Sequence, residues 1–142
     1  MSEKVLLVDD EDDYLEVMAE RMQARGIDVS TSNSAEEALS RIEREAFDAV
    51  ILDFMMPGMD GIETLKAIKE KKPELQIILL TGHATVQKGV EAMKLGAMDF
   101  MEKPADLEIL TEKIKVAKSE KTLIVEKKQA DNVKTILKKY GF

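Results

Sequence analysis

Residues 49–61 read AVILDFMMPGMDG, a short apolar run that ends at Asp53 and leads into a turn at Pro57 and Gly58. Similar runs rich in Val, Ile and Leu lie at residues 5–8 and 77–80. Runs of this length and composition are typical of strands that are buried on both faces. The three stretches therefore predict central strands of a sheet that is covered on both sides.

Stretches with helical spacing separate these runs. Ser34, followed three residues later by Glu37, has the pattern of a capping box, and Asp106 is placed to cap the last helix. The predicted helices are residues 14–25, 35–45, 62–71, 85–95 and 106–118, and two weaker strands are predicted at 28–32 and 98–101. Strands that alternate with single helices imply right-handed crossovers and a parallel sheet with helices on both faces. We therefore expect a doubly wound α/β fold in which the carboxyl ends of all five strands share one edge.

The segment after residue 118 keeps a helical pattern, so we divide the chain into a domain at residues 1–118 and a C-terminal helical extension at 119–142. We expect no separate output domain in this extension. Its apolar positions follow spacings of seven, three, four and three residues: Leu123, Ala130, Val133, Leu137 and Tyr140. Polar Ser119 and Glu126 occupy two positions of the same seam. The segment therefore fits a weak coiled coil between two copies, a helix folded back on the domain, or a frayed tail, and the last two together are favoured.

The composition restricts the classes of function. The chain has 142 residues, 44% of them hydrophobic, a net charge of −7 and no cysteine. An acidic surface repels the phosphates of nucleic acids, so direct binding to nucleic acid is disfavoured. Without cysteine there is no disulfide or thiolate metal site, and no apolar run is long enough for a membrane span. We expect a cytoplasmic protein that binds neither membrane nor nucleic acid directly.

Polar residues follow four of the predicted strands at the point where each strand ends. They are Asp9 and Asp10, then Asp53, Thr81 and Lys103. Each alone fits a simple role, because Asp is common in turns and helix caps and most Lys side chains are solvated. Their joint placement at one edge of a parallel sheet favours a functional site. Three clustered carboxylates repel each other unless a cation neutralises them, and hard oxygen ligands suit Mg²⁺ or Mn²⁺.

Four motifs around these strand ends resemble those of bacterial response-regulator receiver domains, in the same order. They are VLLVDDE at residues 5–11, AVILDFMMPGMDG at 49–61, IILLTGHA at 77–84 and GAMDFMEKP at 96–104. The resemblance covers roughly residues 3 to 118. It implies a flavodoxin-like sheet of five parallel strands in the order 2-1-3-4-5.

The resemblance also implies a role for the acidic residues. Asp53 resembles the phosphoacceptor, and Asp9 and Asp10 resemble the acidic pair that holds the metal together with Asp53. Met55 resembles the residue whose backbone carbonyl binds the same ion. A Mg²⁺-dependent phosphorylation site is therefore expected, with Mn²⁺ as a substitute.

Four further residues resemble the parts of the family that respond to the phosphoryl group. Thr81 resembles the switch hydroxyl and Phe100 the switch aromatic residue. Lys103 resembles the ammonium that pairs with the phosphate, with a cis peptide bond to Pro104. By the same resemblance, phosphorylation would change the surface formed by the fourth helix, the fifth strand and the fifth helix.

The expected function is a phosphorelay switch that receives a phosphoryl group on Asp53 from a sensor histidine kinase or a phosphotransfer protein. Its downstream target would be a protein, and the extension makes a homodimer an open alternative. We expect no enzyme beyond self-modification, because Met55 stands where phosphatases of the haloacid-dehalogenase type have a second aspartate. A phosphorylation-independent interaction module and a receiver fragment of a larger transcriptional regulator remain alternatives. His83 is expected to be a solvated loop residue.

Overall fold

The computed structural model describes residues 2–56, 58, 60–82 and 85–141 of the chain. Five strands alternate with five helices in these residues, which confirms the predicted α/β fold. The strands are β1 (Lys4–Val8), β2 (Asp28–Ser32), β3 (Ala49–Asp53), β4 (Gln76–Thr81) and β5 (Asp99–Glu102), and the helices are α1 (Asp12–Gln23), α2 (Ala35–Arg44), α3 (Gly61–Lys71), α4 (Val86–Lys94) and α5 (Leu107–Lys139). Pro57 and His83, for which the sequence predicted a turn and a solvated loop position, lie outside the described residues.

The sheet is parallel throughout, and its strand order is β2-β1-β3-β4-β5, as the family resemblance implied. Val8 at the end of β1 pairs with Leu52, and Asp53 at the end of β3 pairs with Leu80. The strand order reverses between β1 and β3, and open α/β sheets bind ligands at such a reversal. Asp9 and Asp53 therefore meet at the carboxyl edge of the two central strands.

Helices cover both faces of the sheet and create two apolar layers. Successive side chains of β1 alternate between the layers: Leu6 and Val8 point to the face covered by α2, α3 and α4, whereas Val5 and Leu7 point to the face covered by α1 and α5. Each fully buried Val or Leu contributes roughly 1.5–3 kcal/mol relative to an exposed side chain. Packing on both faces fixes the two central strands, and with them the site at their ends.

Side-chain caps set the starts of several helices. The hydroxyl of Ser34 accepts the backbone N–H of Glu37 at 3.2 Å, and the carboxylate of Asp106 accepts two backbone N–H groups at the start of α5. The starts of α2 and α5 therefore agree with those predicted from the sequence. Helix α1 begins at Asp12, so the expected start at residue 14 was wrong. Asp12 and Asp13 are polar and gave no apolar signal, but negative charge in the first turn of a helix is favourable.

Helix α5 is one helix of 33 residues, about 50 Å long, and no break marks the domain boundary expected at residue 118. Its first half packs on the sheet through Leu110, Ile114 and Ala117. The Nζ of Lys121 then donates to the backbone carbonyl of Phe47 at 2.6 Å, and residues 126–141 are all exposed. The alternative in which the extension folds back onto the domain is therefore wrong. No helix among the described residues has both the length and the apolarity needed to cross a bilayer.

Candidate functional site

Asp9 is the most deeply buried acid of the site. It follows β1 directly, is 1% exposed, and its Oδ1 accepts the backbone N–H of Glu11 at 2.9 Å. Its Oδ2 accepts a hydrogen bond of 2.6 Å from the Nζ of Lys103. The turn role considered from the sequence is thus present, but the carboxylate also has a charged partner 94 residues later in the chain.

Asp53 is the last residue of β3 and is 6% exposed. Its Oδ1 lies 3.7 Å from the Nζ of Lys103 and accepts the backbone N–H of Met55 at 3.3 Å. Burial and the neighbouring charge of Asp9 raise the pKa of Asp53 to about 6, although Lys103 and the N–H of Met55 act in the opposite direction. A buried carboxylate beside a second one is disfavoured in its charged form.

The carboxylates of Asp9, Asp10 and Asp53 form one cluster. Each offers an oxygen, and the three oxygens lie within 4.8 Å of one another. Asp10 is exposed, so the cluster opens to solvent on its side. Carboxylate oxygens with room for water are the ligands that Mg²⁺ and Mn²⁺ prefer. Burial and, after it, repulsion by Asp9 raise the pKa of Asp53, and a bound cation would offset that repulsion. The donor set therefore fits a hard divalent cation, as the sequence predicted.

Lys103 completes the charged part of the site. Its backbone N–H donates to the carbonyl of Thr81 at 2.7 Å, and the peptide bond to Pro104 is cis, the isomer that the resemblance implied. Burial opposes the charge of the ammonium, but the hydrogen bond to Asp9 and the charge of Asp53 outweigh burial and raise the pKa of Lys103. Lys103 therefore remains protonated at neutral pH, between two carboxylates.

Thr81 lies next to Lys103 at the site, and Phe100 lies on the neighbouring strand β5. Thr81 ends β4, is fully buried, and directly follows Leu80, the partner of Asp53 in the sheet. The ring of Phe100 packs edge-on against Phe54, with ring centroids 5.7 Å apart. Phe54 is the residue after Asp53, so Phe100 is connected to the acidic site through Phe54.

A family model for the response regulator receiver domain matches residues 5–115. The chain belongs to this family. Over 106 residues it is 36% identical to the transcriptional regulatory protein ZraR of Escherichia coli K12, which covers 75% of this chain and 24% of ZraR. The chain thus spans about a quarter of the length of that relative.

Solved receiver structures agree with the fold. A receiver domain protein from Clostridium thermocellum is 32% identical and superposes with a TM-score of 0.81, covering 86% of this chain and 98% of the other. The beryllofluoride-activated NtrC4 receiver domain, determined as a dimer, is 35% identical with a TM-score of 0.78 and covers 83% and 98%. The chain is thus a receiver domain of two-component response regulators, in which phosphorylation on Asp is inherent to the family.

Tyr14 of this receiver was not predicted from the sequence to lie at the site. The Nζ of Lys103 lies 4.4 Å from the centroid of the Tyr14 ring, and the Tyr14 hydroxyl is buried without a hydrogen-bond partner among the described residues. Burial raises the pKa of Tyr14, and the positive charge of Lys103 only partly opposes this. The only feature of the sequence that pointed to Tyr14 is an aromatic residue in the predicted first turn of a helix. Such a residue does not by itself indicate a contact with Lys103, which lies in the loop after β5.

Proposed function

We propose that Asp53 is the phosphoacceptor of this receiver and that the reaction requires a divalent cation, Mg²⁺ or Mn²⁺. The observation that carries the proposal is that the Asp53 carboxylate belongs to an acidic cluster that fits a cation and also lies close to an ammonium. Its oxygens take part in the acidic cluster with Asp9 and Asp10, and Oδ1 is 3.7 Å from the Nζ of Lys103. With a cation bound by the acidic cluster, this arrangement would provide positive charge on both sides of a transferring phosphoryl group.

In the proposed reaction a carboxylate oxygen of Asp53 attacks phosphorus, and the bond from phosphorus to the donor breaks as the new P–O bond forms. The donor is a phosphohistidine of a sensor kinase or phosphotransfer protein, or a small acyl phosphate such as acetyl phosphate. Phosphoryl transfer depends mainly on alignment and charge compensation. A cation held by Asp9, Asp10, Asp53 and the backbone carbonyl of Met55 would supply part of that compensation. Lys103 supplies the rest by donating to the phosphoryl oxygens.

We further propose that the chain catalyses only its own phosphorylation and dephosphorylation. Phosphatases of the haloacid-dehalogenase type, which act on a separate substrate, have a second aspartate two residues after the nucleophile. Met55 stands two residues after Asp53, and its side chain is 61% exposed and cannot donate or accept a proton. We therefore expect the phosphoryl group to be transferred to the chain itself and not to a separate substrate.

The proposed output is a change in protein binding at the face of α4, β5 and α5. This face carries exposed apolar side chains, including Val86, Val90 and Met93 of α4, and a groove of 790 Å³ that Phe100 also lines. Thr81 would move its hydroxyl to a phosphoryl oxygen, and Phe100 would turn into the space that it leaves. The partner is a downstream protein, and the resemblance to longer transcriptional regulators supports the alternative in which that partner is a further domain of the same regulator.

We also propose that a second copy of the chain packs against α5. Exposed apolar residues recur along this helix at intervals of seven: Ile109, Val116, Leu123, Ala130 and Leu137. In a parallel pair this repeat would form one row of a coiled-coil seam, whose second row contains polar Ser119 and Glu126 as well as apolar Val133 and Tyr140, and Lys115 would face Glu120 of the second copy across it. Leu137→Glu should convert the dimer to a monomer in light scattering, whereas Lys128→Glu at another exposed position should not. Equal masses for both variants would contradict the proposal.

The decisive experiment for Asp53 is a measurement of intact mass after incubation with Mg²⁺ and acetyl phosphate. We expect one added phosphoryl group in the wild type and none in Asp53→Asn or in a sample with chelator. Asp12→Asn, which removes an exposed acid outside the cluster, is the matched control and should be modified like the wild type. Modification of Asp53→Asn would place the phosphoacceptor elsewhere. Absence of any adduct despite bound metal would favour the phosphorylation-independent interaction module.

A further inference from the structure

Tyr14 contacts Lys103 through its ring, and this contact does not involve the acidic cluster of Asp9, Asp10 and Asp53. The ring lies in the first turn of α1, on the face that packs against the sheet, and the ammonium of Lys103 is 4.4 Å from the ring centroid. A cation at this distance from an aromatic face is attracted by the negative charge density of the ring. The contact joins α1 to the loop after β5, across the site.

The second contact of Lys103 is one that a metal ion would weaken. In the described structure the ammonium donates to Oδ2 of Asp9 at 2.6 Å, but Asp9 is also part of the carboxylate cluster that fits a divalent cation. An ion bound there competes with Lys103 for the same carboxylate and repels its positive charge. The face of the Tyr14 ring carries no formal charge for the ion to neutralise, so this attraction to the ammonium persists when Asp9 is engaged.

We propose that Tyr14 is a positioning residue whose ring holds the Lys103 ammonium near Asp53 while the acidic cluster is occupied by a cation. The inference rests on the proposed phosphorylation of Asp53. It assigns the role to the ring face and not to the hydroxyl, which is buried and has no partner among the described residues. Tyr14 also packs against the apolar layer of α1 and α5, so the test must separate holding the ammonium from filling space.

Three substitutions distinguish these two roles: Tyr14→Phe, Tyr14→Leu and Tyr14→Met. Phe keeps the aromatic face and removes the hydroxyl, whereas Leu and Met keep an apolar side chain and remove the face. The first measurement is the NMR signal of the Lys103 side chain in the metal-free protein and with Mg²⁺, assigned by its absence in Lys103→Gln. We expect an upfield ring-current shift of the Lys103 methylene protons in the wild type and Tyr14→Phe, with and without the ion. The shift should be lost in Tyr14→Leu and Tyr14→Met.

The second measurement is the rate of phosphorylation by acetyl phosphate at saturating Mg²⁺. Tyr14→Phe should react within about twofold of the wild type, and the Leu and Met variants should react roughly three- to thirtyfold more slowly, the range that corresponds to the strength of a partly desolvated cation–π contact. Rescue by Phe distinguishes positioning of Lys103 from loss of packing, because both variant classes fill the apolar layer.

The outcomes separate this inference from the function on which it rests. Wild-type rates in Tyr14→Leu and Tyr14→Met, or a Lys103 signal that does not move when the ring is removed, would overturn the role of Tyr14. A rate as low in Tyr14→Phe as in Tyr14→Leu would also overturn it, because the hydroxyl would then be the active group. If the wild type itself accepts no phosphoryl group, the proposed function fails, and the NMR shift still decides whether Tyr14 holds the ammonium.

Discussion

Replacing Asp53 by Asn should stabilise the metal-free protein at pH 7, although it removes the proposed phosphoacceptor. The carboxylate is buried, and its pKa is raised from 3.8 to about 6 in the folded protein. The folded state therefore binds this proton more tightly than the unfolded state does. Stability that is fully present below pH 3.8 is lost as the pH rises through about 6, because folding then keeps a charged carboxylate out of water.

The size of the effect follows from the pKa. A shift of this size corresponds to about 3 kcal/mol at pH 7, since each pKa unit is worth about 1.36 kcal/mol. Exposed Asp10 and Met55 border the site, so water screens part of the repulsion, and we expect about 1–3 kcal/mol. For a domain of this size that gain raises Tm by roughly 3–10 °C. At pH 4 the difference should shrink below about 1 kcal/mol, because the native carboxyl is then protonated in the wild type.

The assay is thermal unfolding followed by circular dichroism, in chelator, at pH 4 and pH 7. Asp10→Asn is the matched control, because it removes the same charge from an exposed position and should change Tm much less. Saturating Mg²⁺ should then favour the wild type, since an ion at one hundred times its dissociation constant adds about 2.7 kcal/mol to a protein that binds it only when folded. The reasoning is refuted if Asp53→Asn is no more stable than the wild type at pH 7 in chelator, or if its advantage is the same at both pH values.

Two further substitutions test the scaffold of the site. Gly61→Ala should destabilise the protein by roughly 1–3 kcal/mol in urea unfolding, because a Cβ there would lie 2.7 Å from the backbone of Phe54. Gly82→Ala, which meets open space, should stay within about 0.5 kcal/mol, and equal effects of the two would contradict this packing. Lys121→Met removes the charged hydrogen bond to the carbonyl of Phe47 and should cost about 1–2 kcal/mol. A loss no larger than that of exposed Lys128→Met would show that this bond does not fasten α5.

The arrangement of the strands could be predicted from the sequence because local signals determine it. The runs at residues 5–8, 49–52 and 77–80 are apolar on both faces, and such runs have few alternatives to a covered parallel strand. Parallel strands place their carboxyl ends together, so the meeting of Asp9, Asp53 and Lys103 followed from topology. These residues lie far apart in sequence, yet no side-chain detail was needed to bring them into one site.

The contacts that the sequence could not predict depend on side-chain direction and on helix placement. The contact between Tyr14 and Lys103 depends on where α1 lies along the sheet, and an apolar pattern specifies only which face of a helix is buried. The course of α5 beyond Lys121 could not be predicted from the sequence either. From the sequence alone, Leu123 and Leu137 could be covered by the domain or by a second copy, because the apolar periodicity is the same in both cases.

The hydrogen bonds of Lys103 indicate how the proposed modification of Asp53 would be transmitted to β4. Before phosphorylation, two buried carboxylates share one ammonium, and the 2.6 Å hydrogen bond of Lys103 goes to Asp9 and not to Asp53. If Asp53 is the phosphoacceptor, its carboxylate becomes a mixed anhydride, and the negative charge moves outward to the phosphoryl oxygens. Lys103 would then be drawn from Asp9 toward those oxygens, and its backbone N–H already donates to the backbone carbonyl of Thr81, the residue whose hydroxyl is the proposed switch. A change of partner by one ammonium would thus reach the end of β4 through a single residue.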